Sequence, residues 1–105
     1  MGMNAKLSSY TLKLYTMPGC HKCHILAEKL REMGVGFEER RFDTGAQLEF
    51  IMRDYFGNPP ILEAPDRTAC AEDLFDDHGN LIPERLNQFL NGGKWISRGE
   101  VNICE

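Results

Sequence analysis

The change of apolar period between Leu12 and Gly34 constrains the fold more than any other feature of this chain. LKLYT (Leu12 to Thr16) alternates apolar and polar side chains at first, as a short strand does, and Met17-Pro18-Gly19 then breaks it. Beyond the break, Leu26, Leu30 and Met33 recur at spacings of four and three with Ile25 beside them, the pattern of one helix face, and Gly34 stands where the residue past a helix end belongs. A strand that runs into a helix through a short turn reaches its next partner by a crossover, so that partner is expected to be parallel.

The second strand is read in VGFEERRFD, where Phe37 and Phe42 are the large apolar residues and no helical period is present. Thr44-x-x-Gln47 then fits a capping box, with Leu48, Ile51, Met52 and Tyr55 as an apolar stripe and Gly57 ending the helix. Asn58-Pro59-Pro60 breaks the chain again, since neither proline continues a helix. Ile61–Ala64 and Thr68–Ala71 follow as paired strands about the turn Pro65-Asp66-Arg67. Two starts are open for the last helix, near Glu72 or near Asn80. Ile82, Leu86, Phe89 and Leu90, with Pro83 in the first turn and Gly92-Gly93 as the stop, favour the later one and leave the acidic stretch as a loop. The expected order is β-α-β-α-β-β-α, a four-stranded mixed sheet flanked by three helices over residues 11–91, with a flexible segment 1–10 before it and a tail 92–105 after it.

A chain of 105 residues is most simply one domain, able to bury a core without a disulfide scaffold. Its net charge of -4, with no basic stripe interleaved with aromatics, gives no footprint for nucleic acid. Leu12–Tyr15, the first apolar segment, is too short for a signal-peptide core or a membrane span, so the expectation is a cytoplasmic monomer without membrane attachment. Charge is uneven along the chain. Acidic residues crowd Glu63–Asp77, whereas His21, Lys22, His24 and Lys29 surround the cysteine pair.

That pair, Cys20-His21-Lys22-Cys23-His24, carries two overlapping signatures: a C-x-x-C dithiol and a C-x-x-C-H haem attachment site. Disulfide exchange needs a thiolate, and a free cysteine of pKa about 8.5 is only roughly 3% ionised at pH 7. At a helix start, Cys20 would meet unpaired N–H groups and the positive end of the dipole, worth about 0.3 to 2 kcal/mol, or at most roughly one and a half pKa units. Lys22 and a charged His21 or His24 would add to that pull. Cys23 lies about one turn deeper, where its sulfur can close on Cys20, which makes it the natural resolving thiol. Zinc would need four ligands, and His21, His24, Cys70, His78 and Cys104 supply no second paired motif; no metal ligand is assigned. Haem would normally imply export and a later axial ligand, and Met33 and Met52 are already explained by helix stripes.

YTMPGCHKC resembles the strand and active-site turn of glutaredoxins and of the glutaredoxin-like redoxins that supply electrons to ribonucleotide reductase. PPILEAPD resembles the entry to their third strand, and the likeness runs from Leu12 to Leu90. The resemblance implies a thioredoxin-like fold and a thiol–disulfide oxidoreductase in which Cys20 attacks and Cys23 resolves. It also implies a cis Pro60 facing the cysteines, Pro59 pairing its backbone with substrate, and His21-Lys22 bordering the substrate where glutaredoxins commonly have Pro-Tyr. The implied partners are a disulfide-containing protein and, as donor, glutathione or a thioredoxin-reductase-type enzyme; no cofactor is held permanently, and glutathione is a possible co-substrate. Glutathione-using members carry Gly-Gly-x-x-Asp, where this chain has Ala69-Cys70-Ala71-Glu72-Asp73. The missing glycines oppose close backbone approach by glutathione, and Asp73 either captures its amine or belongs to a solvated acidic loop. Two other classes are a module sharing an iron-sulfur cluster or zinc through its exposed cysteine, and a non-catalytic docking domain using the acidic Glu63–Asp77 surface. Cys70 is expected as a buried strand residue and Cys104 as a free tail thiol.

Overall fold

The computed structural model describes residues 12–92 and 94–99; the segment 1–10 and Cys104 lie outside them. The elements are β1 (Lys13–Thr16), α1 (His21–Glu32), β2 (Glu38–Arg41), α2 (Thr44–Met52), β3 (Ile61–Ala64), β4 (Arg67–Ala69), α3 (Ala71–Leu74) and α4 (Pro83–Leu90). The strands form one mixed sheet in the order β2-β1-β3-β4, with β1 parallel to β2, antiparallel to β3, and β3 antiparallel to β4.

Strand pleating distributes the core to both faces. Leu14, paired with Leu62, packs with Leu26, Leu30, Leu86 and Phe89 of α1 and α4, while the next pair, Tyr15 and Ile61, packs with Phe50, Tyr55 and Cys70 on the opposite side. Each fully buried leucine or phenylalanine contributes about 1.5–3 kcal/mol. The α1 stop follows from Gly34 at φ +74, which lets the Gly34 N–H reach the Arg31 carbonyl and the Val35 N–H reach the Leu30 carbonyl. β2 is the sequence EERR with every residue exposed. Among the described residues no helix is long and apolar enough to cross a membrane.

Three details depart from expectation. Among the described residues the helices are four, because both candidate starts are used: α3 makes one turn from Ala71, and α4 then begins at Pro83 with Ile82 as its cap. Phe75 and Leu81 bridge across the intervening Asp76–Asn80 loop, and the Ile82 N–H donates to the Leu74 carbonyl, so the two helices are tied across it. On α2 the buried face is Phe50, not the expected stripe. Leu48, Ile51 and Met52 are exposed, Met52 at 81%, and of that stripe Tyr55 alone is buried. Phe50 meets Tyr15, Phe42 and Tyr55 at ring-centroid distances of 5.1, 5.9 and 5.6 Å, an aromatic cluster that outweighs three aliphatic side chains in choosing the face. The α2 cap is Asp43, whose carboxylate accepts the Ala46 N–H, rather than Thr44, and the helix ends at Met52, ahead of Gly57.

The tail is the third. Residues 94–99 cross back over β4 and α3. The Trp95 indole N–H donates to the Thr68 carbonyl at 2.8 Å, its ring meets Phe89 edge-on, and Arg85 lies over it. Further on, the Gly99 carbonyl accepts the Phe56 N–H.

Candidate functional site

The cysteine pair is placed by the turn that ends β1. The Cys20 N–H returns to the Met17 carbonyl at 3.2 Å, Pro18 fixes one central φ, and Gly19 takes φ +74, which a residue with a Cβ resists. The turn delivers Cys20 to the N-cap of α1, with extended backbone and its Sγ accepting the Cys23 N–H at 3.1 Å. Cys20 is half-buried and Cys23 is 4% exposed, and the two are joined as a disulfide with Cα atoms 5.2 Å apart. One sulfur is therefore reachable and its companion is shielded.

One hollow is lined by the pair itself, and a second lies on the far side of Lys22 and is lined by neither cysteine. The first, of about 430 Å³, is lined by Thr16, Met17, Cys20, His21, His24 and Arg31 among others. The second, of about 290 Å³, includes Lys22, Asn58, Pro59, Phe75, Asp77 and Arg98. Lys22 therefore turns away from the first hollow: its ammonium lies 5.8 Å from the centre of the Phe75 ring. His24 pairs with Glu28 one turn further on, at 3.3 Å, while His21 is exposed. The Pro59–Pro60 bond is cis, Pro60 is buried and Pro59 is half-buried.

Of the residues expected to touch substrate, Cys20 and His21 share one hollow and Lys22 and Pro59 share the other. Asp73 belongs to neither. It is 2% exposed, so it is neither part of a solvated loop nor open to a ligand amine. Its carboxylate accepts the Cys70 N–H at 3.0 Å, the Arg98 N–H at 2.8 Å and the Ser97 hydroxyl at 2.5 Å, which fastens residues 97–98 over α3. Matched against family models, curated proteins and solved structures, the chain finds no counterpart in any of the three.

The contact between Asn58 and Glu72 had no signal in the sequence. The Glu72 carboxylate accepts both the backbone and the side-chain N–H groups of Asn58, and the Ala71 N–H donates to the Asn58 carbonyl, so the residue before Pro59 is locked to α3. Burial opposes ionisation of Glu72, but the hydrogen bonds it accepts prevail and hold its carboxyl below the usual range. Nor does Glu63–Asp77 form one acidic surface: Glu63 faces α2, paired with Arg53 at 2.9 Å, Asp73 is buried, and Asp76 accepts the His78 and Asn80 N–H groups of its own loop. Asp76 titrates below its ordinary value, chiefly because of the Asn80 N–H.

Cys70 is buried against Gly57, where any side chain would collide with it. Burial, followed by the neighbouring Glu72, pushes its thiol up to about 12, so it stays protonated and inert. Among the described residues no three His, Cys, Asp or Glu side chains converge as metal ligands.

Proposed function

We propose that this chain is a thiol–disulfide oxidoreductase of glutaredoxin-like type, built on a thioredoxin-like fold, that reduces disulfides through Cys20 and Cys23. The observation that carries this is the asymmetry of the pair: Cys20 is half-buried at an N-cap, while Cys23 is covered. In the reduced protein the Cys20 thiolate gains from the Cys23 N–H and from the helix dipole, about 0.3–1 kcal/mol for the latter.

The Cys20 thiolate attacks one sulfur of the substrate disulfide, forms a mixed disulfide and expels the other sulfur as a thiolate that takes a proton from water. Cys23, deprotonated as it approaches, attacks Cys20 Sγ, closes the Cys20–Cys23 bond and releases the second substrate thiol. Two electrons pass from the dithiol to the substrate, and an external thiol or dithiol reductant restores Cys20 and Cys23. Which donor does so is read by running hydroxyethyl-disulfide reduction with glutathione and insulin reduction with thioredoxin reductase. Cys20→Ser is expected to abolish turnover, and Cys23→Ser to accumulate a mixed disulfide on Cys20 visible by mass spectrometry. A wild-type protein inactive in both systems, or a Cys20→Ser variant as active as wild type, overturns the proposal.

A further inference from the structure

The backbone of Asn58, the residue ahead of the cis Pro59–Pro60 bond, is fully engaged. Its carbonyl accepts the Ala71 N–H at 3.0 Å, and its N–H donates at 3.2 Å to the Glu72 carboxylate, whose second oxygen takes the Asn58 side-chain amide. One residue earlier the chain has no room to shift, since a Cβ on Gly57 would lie 2.3 Å from that of Cys70. Proline has no N–H, so Pro59 and Pro60 can donate nothing. The Pro59 carbonyl, which no hydrogen bond reaches among the described residues, is the first free backbone group past Asn58. It lies at the dithiol end of the sheet. β1 and β3 pair Lys13 with Glu63, Leu14 with Leu62 and Tyr15 with Ile61; carried past the strand ends, that register sets Pro60 and Pro59 against Thr16 and Met17, both of which line the hollow that holds Cys20. On its other side Pro59 shares a hollow with Lys22, the residue before Cys23.

We propose that Asn58 and Glu72 are positioning residues that fix the Pro59 carbonyl as a backbone acceptor for a peptide disulfide, so that the substrate is recognised by one N–H at or beside its reacting cysteine. The inference rests on the dithiol function given above. Although burial opposes ionisation of Glu72, the hydrogen bonds it accepts hold its carboxyl below the usual range, so at neutral pH it meets both Asn58 donors as an acceptor only. The substrate class is an extended segment with a free amide at that place; a peptide with proline there has no N–H to give and is a poor substrate.

The test uses four symmetric peptide disulfides: an all-amide parent and three in which an ester oxygen replaces the N–H of the cysteine, of the residue before it or of the residue after it. Each is mixed with the pre-reduced full chain, and single-turnover rates over a range of peptide concentrations give the half-saturating concentration and the limiting rate. One ester is expected to raise the half-saturating concentration about fivefold, the worth of one hydrogen bond, with the limiting rate little changed. In Glu72→Ala the same ester should raise it only about twofold, and Glu72→Gln, which keeps an acceptor for the Asn58 N–H, should fall between. Glu72 is exposed, so both variants fold. Equal half-saturation for all four peptides overturns the acceptor role of Pro59, and an ester penalty that Glu72→Ala leaves at fivefold overturns the positioning role; in either case reduction of the parent peptide leaves the dithiol function standing. A parent peptide that is not reduced overturns both.

Discussion

Ser97 closes a buried hydrogen-bond chain whose protons can be counted, and that count predicts an outcome. A serine hydroxyl has one proton to give and two lone pairs to receive. The Asp73 carboxylate, 2.5 Å away, only accepts, so it takes that proton; the Tyr55 hydroxyl at 2.6 Å and the Gly99 N–H at 3.1 Å must then both donate to Ser97. Burial raises the Tyr55 phenol above its ordinary pKa of 10.0, so its proton stays available. Ser97→Ala leaves those two buried donors without an acceptor, at about 1–3 kcal/mol each, and some relaxation should hold the total near 2–3 kcal/mol. Against a stability of about 5–15 kcal/mol that is a large loss, equivalent to roughly 10–20 °C in Tm. Tyr55→Phe removes a donor instead of stranding one and should cost only about 1 kcal/mol. In the double variant the stranded hydroxyl is gone, so the combined loss should fall short of the sum by about 1–2 kcal/mol. Urea unfolding of the four proteins with a shared m-value measures this cycle. A Ser97→Ala effect under about 0.5 kcal/mol, or strict additivity, refutes the proton assignment and the claim that the tail is fastened there.

The alkaline limb of stability offers a second check. Cys70 titrates at about 12 when folded against 9.0 when free, so the unfolded chain releases its proton first; the stabilisation is complete below pH 9 and is lost as pH rises toward 12. The urea midpoint should decline across that window and do so less steeply in Cys70→Ala, whatever that variant does to the plateau; an identical slope contradicts the buried thiol. A third concerns Gly99, where a methyl group would lie 2.7 Å from the Tyr55 ring and 2.9 Å from the Gly57 nitrogen. Gly99→Ala should cost about 1–3 kcal/mol and speed tryptic cleavage after Arg98, and an unchanged digestion rate would mean that the close packing is not maintained in solution.

What could be seen in the sequence was what is decided locally. Pro18-Gly19 and Gly34 bracket α1, its apolar residues share one period, and so Cys20 at the cap and Cys23 one turn inside followed without knowledge of the rest of the chain. The α2 face was not decided locally: residues 48, 51 and 52 keep helical spacing as well as 46 and 50 do, and the choice fell to Tyr15 and Phe42 on other elements. Asp73 looked solvated beside Glu72 because its burial depends on Ser97, 24 residues later. A polar segment with no apolar period gives no sign that it packs, and the one signal present was Trp95, a residue whose area seldom stays in water and whose N–H seeks a partner when covered.

The rims of the sheet have a consequence of their own. One rim, β2, carries Glu38, Glu39, Arg40 and Arg41 in unbroken succession, and beside the other the Trp95 indole occupies the Thr68 carbonyl. A foreign strand approaching the first meets charges of both signs that it would have to strip of water, and at the second it finds an acceptor already taken. Lateral growth of the sheet into ribbons is thereby discouraged at both rims.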